Sequence, residues 1–299
     1  MGRNQIGIVV KHSVPEAKKI AGIVKRYLKQ KHKLNCINLD TGSEVESPVK
    51  LRSKLVGSLK FIIVLGGDGT FLAAARMLAA YNDSCKQPSK TIVPILGVNM
   101  GQLGFLTEVK KTEILSVLDD VVSGSRKITT SKRTVMRCRV YRGDQVHLEA
   151  IVLNDIVVSR GAIARIFDLR VELDRVLISE FKADGVLVST PTGSTAYGLA
   201  VGGPIVHPDV PAFEIAPICP HSLTLRPLIV SDRATIDIYP RFRAGTVILT
   251  LDGQSSFVLE NDDRVEVTRC QKQKLHILGT SSRNYFSILR EKLKFGSRE

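Results

Sequence analysis

The stretch Phe61–Arg76, FIIVLGGDGTFLAAAR, decides how this chain is read. Phe61 to Leu65 is an apolar run with the length and composition of a buried strand. Gly66, Gly67, Asp68 and Gly69 interrupt it, and from Thr70 to Tyr81 the apolar residues recur with helical spacing. Strand, glycine turn and helix together form the unit through which a parallel sheet meets ligands at its carboxyl edge. Glycines let the backbone approach a ligand closely. The helix start offers free N–H groups and the positive end of a dipole, which suit phosphate. Asp68 is the discordant residue, because a carboxylate repels phosphate. Two readings stand for it. One is a turn residue and helix cap. The other is a carboxylate acting beside the phosphate, as base for a hydroxyl or partner for Mg²⁺.

Working outward, strands are expected at Ile6–Val10, Leu34–Leu39, Lys60–Leu65 and Ile92–Val98. Helices are expected over 14–31, Thr70–Tyr81 and Thr112–Val122, with a loop and short helix at 41–55. This alternation predicts a doubly wound α/β domain with a parallel sheet. After Ser125 the pattern changes to polar–apolar alternation with turns such as Arg142-Gly143-Asp144. That texture predicts a β-rich, sandwich-like domain. The segment 281–296 returns to helix, with a serine cap and Tyr285, Phe286, Leu289 and Leu293 on one face. It is expected to pack back on the first domain. The domains are therefore drawn as 1–125 with 280–299, α/β, and 126–279, β-rich.

The bulk numbers narrow the class. The 299 residues, 43% of them hydrophobic, suffice for one large or two ordinary domains. The apolar run near the N-terminus is too short for a signal segment, and no later run is long enough to span a bilayer. The five cysteines are scattered and form no CxxC pair, which argues against a disulfide framework or a zinc site. These features predict a cytoplasmic chain without a membrane partner. The net charge of +14 suits polyanions, but no aromatic residues interleave the basic clusters. Nucleotides are therefore expected as partners and nucleic acid is not. No residue is assigned as ligand of a resident metal.

Two further segments carry chemistry. NMGQLGFLTE, 99–108, is a second glycine-bearing turn at the same sheet edge. ADGVLVSTPTGSTAYGLAVGGPIVHP, 183–208, ends a strand in a run of hydroxyls and glycines. Hydroxyls and free N–H groups at a helix start can hold a dinucleotide's phosphates and ribose, and Tyr197 can stack on a base. No Walker-type loop and no GxGxxG follow a strand. No Ser-His-Asp or Cys-His arrangement is readable.

Together, GGDGT (66–70), GQLGFLT (101–107), LND (153–155), the 183–208 block, PICPHSLTLRP (217–227), LDGQ (251–254) and RNYFSILREKL (283–293) resemble the NAD kinase family across nearly the whole chain. GGDG alone is shared with lipid kinases and phosphofructokinases, which lack the serine-threonine-tyrosine block. The resemblance implies an N-terminal α/β domain, a C-terminal β-sandwich domain and a homo-oligomer, dimer or tetramer. It implies transfer of the γ-phosphoryl group of ATP, or of polyphosphate, to the adenosine-ribose 2′-hydroxyl of NAD, with Mg²⁺ or another divalent cation on the donor. Asp68 would be the catalytic base. Gly66, Gly67 and Gly69 would face the donor, and Phe105 the adenine region. Asn154 and Asp155 would hold ribose or adenine polar groups, and Arg165 and Lys182 would lie near phosphate. Asp184, the Thr195-Ala196-Tyr197 segment and Gln254 complete the dinucleotide set. Two departures stand out: Lys182 replaces an arginine common in some members, and Ala200 replaces a serine. A lipid kinase and a non-catalytic dinucleotide-binding module are the rival classes.

Overall fold

The computed structural model describes residues 4–11, 13–40, 58–84, 92–161, 166–270 and 274–296. The segment read as loop and helix at 41–55 lies outside them, as does Arg165. In chain order the elements are β1 (Gln5–Val10), α1 (Pro15–His32), β2 (Asn35–Asn38), β3 (Leu59–Gly66), α2 (Asp68–Ser84), β4 (Ile95–Asn99), β5 (Val109–Lys110), α3 (Ile114–Ser123) and β6 (Ile128–Arg133). Then follow β7 (Met136–Arg142), β8 (Gln145–Val152), β9 (Asp155–Arg160), β10 (Phe167–Leu173), β11 (Val176–Ala183) and β12 (Gly185–Ser189). After α4 (Tyr197–Ala200) come β13 (Ala212–Ile218), β14 (Leu228–Ser231), β15 (Ile236–Arg241), β16 (Val247–Leu251), β17 (Ser255–Leu259) and β18 (Arg264–Arg269). The last elements are β19 (Leu275–Thr280) and α5 (Tyr285–Leu293).

Two compact units result: Met1–Lys132 with Leu275–Glu299, and Arg133–Lys274. The junctions differ by a few residues from those drawn on the sequence. The strands at both junctions, β6 and β19, belong to the first sheet.

The first unit is an α/β layer. Its sheet runs β2-β1-β3-β4-β19-β6, with β5 beside β4. The pairs β1–β2, β1–β3, β3–β4, β4–β5 and β4–β19 are all parallel. β1, β3 and β4 are buried along nearly their whole length. That is why they read as unbroken apolar runs rather than alternating ones. α1 starts with Pro15 in its first turn and ends at Lys33 in a left-handed conformation, burying Ala17, Ala21, Val24 and Leu28. α5 differs from its expectation in two respects. Its cap is Asn284, in a reciprocal box with Ser287, and its buried residues are Ile288 and Leu289, while Phe286 stays 56% exposed.

The second unit is a β-sandwich. One sheet runs β11-β10-β15-β18-β7-β8, the other β14-β13-β12-β9-β16-β17. The paired strands are antiparallel throughout. Met136, Cys138 and Val140 from the first sheet and Val158, Val186, Val188 and Phe213 from the second share one core. The turn expected at Arg142-Gly143-Asp144 is a tight hairpin: Arg142 pairs with Gln145, and Gly143 has φ 58°.

Candidate active site

Asp68 is the first residue of α2, two positions earlier than the helix was expected to start. A carboxylate in a first helical turn is stabilised by the dipole. Its side chain does not spend itself on its own helix. Oδ2 accepts the Phe105 N–H at 2.8 Å. Oδ1 accepts the Leu106 N–H (3.1 Å), the Thr107 N–H (3.2 Å) and the Thr107 hydroxyl (3.0 Å). The two glycine-bearing motifs of the first unit are thus tied through one carboxylate. Gly104 makes this possible: a Cβ there would sit 2.0 Å from Oδ1 of Asp68. Oδ1 carries three donors and Oδ2 one, so Oδ2 keeps an acceptor direction free. A Cβ at Gly67 would meet nothing within 4 Å, and Gly69 is exposed. The turn is therefore open where a ligand would approach the start of α2.

The receiving turn is held from beneath. Buried Asn99, at the end of β4, donates to the Gln102 carbonyl and to Thr107 Oγ1, and its Oδ1 accepts the Gly101 N–H at 2.6 Å. α5 supports the same region. Arg283, just before it, donates to the Glu108 carbonyl and pairs with Glu113 at 2.7 Å. Lys292 lies 5.1 Å from the centre of the Phe105 ring. Phe105 is thus fixed by its amide on one side and covered by a cation on its ring. Asn99 and Arg283 were not singled out from sequence. Each opens a quoted segment, 99–108 and 283–293, but nothing in either segment marks its first residue as the one that braces the turn.

The second unit gathers Asn154, Asp155 and the LDGQ turn. Asp252 and Gly253 take positive φ, 51° and 62°, in the β16–β17 hairpin. This aims the Asp252 carboxylate at the start of β9, where Oδ1 accepts the amides of Asn154 (2.7 Å), Leu153 (3.2 Å) and Asp155 (3.4 Å). Burial, and then the Asp252 carboxylate, push Asp155 up to about 7. The buried Oδ1 of Asn154 has no hydrogen-bond partner, which suits a ligand donor. The Asn154 carbonyl accepts the Thr190 N–H at 2.9 Å, and Thr190 Oγ1 donates to the Leu153 carbonyl at 2.6 Å. The 183–208 block is thereby joined to LND. Beyond Thr190, one 3₁₀ turn (Gly193–Thr195) leads to α4. Ala196 and Tyr197 are exposed at its tip, and Thr195 is half-buried. Gln254 is exposed on the hairpin that carries Asp252.

Two predicted residues stand elsewhere. Asp184 is paired with Arg160 at 2.7 Å. Lys182, on β11, borders two clefts, one of about 410 Å³ with Asp168 and Arg241 and one of about 330 Å³ with His221 and Ser222. Among the described residues no three His, Cys, Asp or Glu side chains gather as a metal site. No helix among them is long and apolar enough to cross a membrane.

The sequence carries its own relatives. Residues 6–126 match the family model of the ATP-NAD kinase N-terminal domain, and residues 153–278 that of the ATP-NAD kinase C-terminal domain. The NAD kinase of Syntrophotalea carbinolica is 38% identical over 296 residues, 98% of this chain and 99% of that one. The NAD kinase of Geotalea daltonii is 43% identical over 237 residues, 79% of each chain. Among solved structures, yeast NADH kinase complexed with NADH superposes with a TM-score of 0.85 at 26% identity, covering 100% of this chain and 89% of that one. An Archaeoglobus fulgidus NAD kinase in complex with ATP shares the fold, with a TM-score of 0.71 at 23% identity over 96% and 99% of the two chains. With near full-length relatives, both domain matches and the GGDG and Thr195-Ala196-Tyr197 turns in place, the chain belongs to the NAD kinase family.

Proposed function

We propose that this protein transfers the γ-phosphoryl group of ATP to the 2′-hydroxyl of the adenosine ribose of NAD, yielding NADP and ADP. The observation that carries the chemistry is the Asp68 carboxylate, fixed by four donors at the start of α2 with one direction on Oδ2 unused. As the new O–P bond forms and the bond to ADP breaks, Asp68 Oδ2 takes the hydroxyl proton. The Gly66–Gly69 turn and the α2 N–H groups receive donor phosphate oxygens, with nothing crowding Gly67. Asn154, Asp155, Thr195, Ala196, Tyr197 and Gln254 hold the dinucleotide, with Asp184, Arg165 and Lys182 at its margins. The orphaned Oδ1 of Asn154 supports that assignment. Mg²⁺ enters as part of the donor. Asp68 is occupied by protein donors, and an ion bound through phosphates needs no cage of side chains. A cytoplasmic homo-oligomer completes the proposal, and size-exclusion chromatography checks the assembly.

The test is NADP formation by the purified protein with NAD, ATP and Mg²⁺, beside Asp68→Asn. Polyphosphate replaces ATP in a second arm, and NADH replaces NAD in a third. The reading requires that wild type makes NADP and that Asp68→Asn loses most of the rate while still binding NAD. A wild type that binds NAD but makes no NADP with either donor is a dinucleotide-binding module instead.

A further inference from the structure

β13 buries a carboxyl group on the face turned away from the sandwich core. Phe213 and Ile215 point into the sandwich core, so Glu214 and Ala216 point to the other face of the sheet. On that face Ala216 packs with Val157, Leu187 and Val201, beneath the segment that follows Tyr197. Glu214 is only 1% exposed, and neither carboxyl oxygen has a hydrogen-bond partner. The segment above it is shaped around the carboxyl. A Cβ at Gly203 would lie 1.6 Å from Oε1, and one at Gly198 would lie 3.0 Å from Oε2. The backbone N–H of Gly203 is spent on the Gly198 carbonyl, and the Ser189 hydroxyl on the Asn154 and Thr190 carbonyls.

Among the described residues no charge compensates this group. Its strand partners are Ser189 on β12 and Ile229 on β14. Tyr197 is the only ionisable residue of the covering segment 197–203, and it is 43% exposed. An ionised carboxylate without donors is costly in such a place, and the neutral acid is not. Burial alone pushes Glu214 up to about 7.

We propose that Glu214 is a positioning residue for the dinucleotide: as the neutral acid it props the Tyr197–Gly203 segment from below, and on ionising it loosens that segment. The inference rests on the reading that Thr195, Ala196 and Tyr197 bind the dinucleotide. Glu214 itself does not touch it. Affinity for NAD then depends on pH through a group outside the binding surface.

The test compares wild type, Glu214→Gln and Glu214→Ala. KM for NAD and kcat are measured from pH 6 to 9, with amide hydrogen exchange of residues 191–206 in the absence of NAD. Wild-type KM rises by about tenfold through neutral pH while kcat changes little, the size of an ordinary coupling between two sites. Glu214→Gln, neutral and of the same shape, loses the part of the KM rise that Glu214 causes and keeps only the pH dependence that Asp155 contributes. Glu214→Ala shows the raised KM even at pH 6. Asp155 also titrates near neutrality, and the Gln variant separates the two. Exchange in the segment, corrected for intrinsic rates, accelerates above neutrality in wild type and not in Glu214→Gln. Superposable pH profiles for wild type and Glu214→Gln, or exchange in the segment indifferent to pH, overturn the proposal. A wild type that makes no NADP defeats the kinase reading, and the exchange data then decide the positioning role alone.

Discussion

Replacing Gly104 by alanine should damage both stability and turnover by forcing a methyl against the bonded pair Asp68 Oδ1 and Thr107 Oγ1. The new methyl would stand 2.0 Å from Oδ1 of Asp68, where an ordinary contact is at least 3.4 Å. The carboxylate must withdraw by about 1.4 Å, the difference between those two distances. Oδ1 now accepts Leu106 N, Thr107 N and Thr107 Oγ1 at 3.1, 3.2 and 3.0 Å, and these bonds break on such a shift. Hydrogen bonds to charged groups are worth about 1.5–3 kcal/mol each, and water replaces part of the loss at this half-buried site. A destabilisation of about 2–4 kcal/mol is expected in urea unfolding. Displacement of the base by that distance should lower kcat by about a hundredfold, with NAD binding retained. The decisive measurement is a double-mutant cycle with Asp68→Ala. Without the carboxylate the closer clash is gone, and Thr107 Oγ1, 2.4 Å from the new methyl, is released from Asp68 and can turn away, so the Gly104→Ala cost should shrink by about 2 kcal/mol. Additivity within about 0.5 kcal/mol would refute the reasoning, because it would mean the two residues do not share a contact.

Three other outcomes follow from the geometry. Asp252→Ala deprives the amides of Leu153, Asn154 and Asp155 of their acceptor; urea unfolding should show a loss of about 2–4 kcal/mol. Arg283→Ala releases the Glu108 carbonyl and Glu113, freeing α5 from the 105–113 region; proteolysis and amide exchange should find α5 opening first, with global stability lowered by about 1–3 kcal/mol. Glu214 has its folded-state value raised from 4.5 to about 7 by burial. The folded chain then holds a proton that the unfolded chain has lost. The associated stability is complete below about pH 4 and vanishes as pH rises through about 7, a span of on the order of 3 kcal/mol. Asp155, raised by burial and by Asp252, works in the same direction. Unfolding at pH 5.5 and 8.5 should show wild type losing stability relative to the Asp155→Asn/Glu214→Gln double variant.

What could be read beforehand was whatever is written locally. β3 announces itself as an apolar run because both its faces are covered, and the glycines after it mark the sheet's working edge. β12 and the hydroxyl-rich turn after it are likewise local signals. The partners of those residues were not legible. Asp68 reaches Phe105, Leu106 and Thr107 across more than thirty residues of sequence, and nothing in GGDG says that a carboxylate will bind a second turn. Residues 275–279 were drawn with the β-rich unit, yet β19 pairs with β4 in the parallel sheet, because a strand's own residues specify its faces and not its neighbours. Asn284 took the cap expected of a serine because its side chain could close the box with Ser287. Glu214 was hidden for the opposite reason. A lone acid in a strand reads as an outward-facing residue, and only the covering segment makes it an interior one.

The place of β19 in the first sheet also sets a schedule. β4 lies between β3 and β19, so the part of its edge at Ile95 and Leu96 that β5 does not cover is supplied by residues 275–280. A ribosome delivers β1 to β4 long before that strand, and each domain folds fastest when its parts are local. The second unit is continuous from Arg133 to Lys274 and meets that condition; the first does not. During synthesis the sandwich can finish while the earlier half waits with an unfilled edge beside β4, an exposed strand edge of the kind that chaperones shield and neighbouring chains exploit. A ribosome stalled between residues 132 and 274 would therefore hold out an open parallel sheet, and the kinase fold closes only when the last strand arrives.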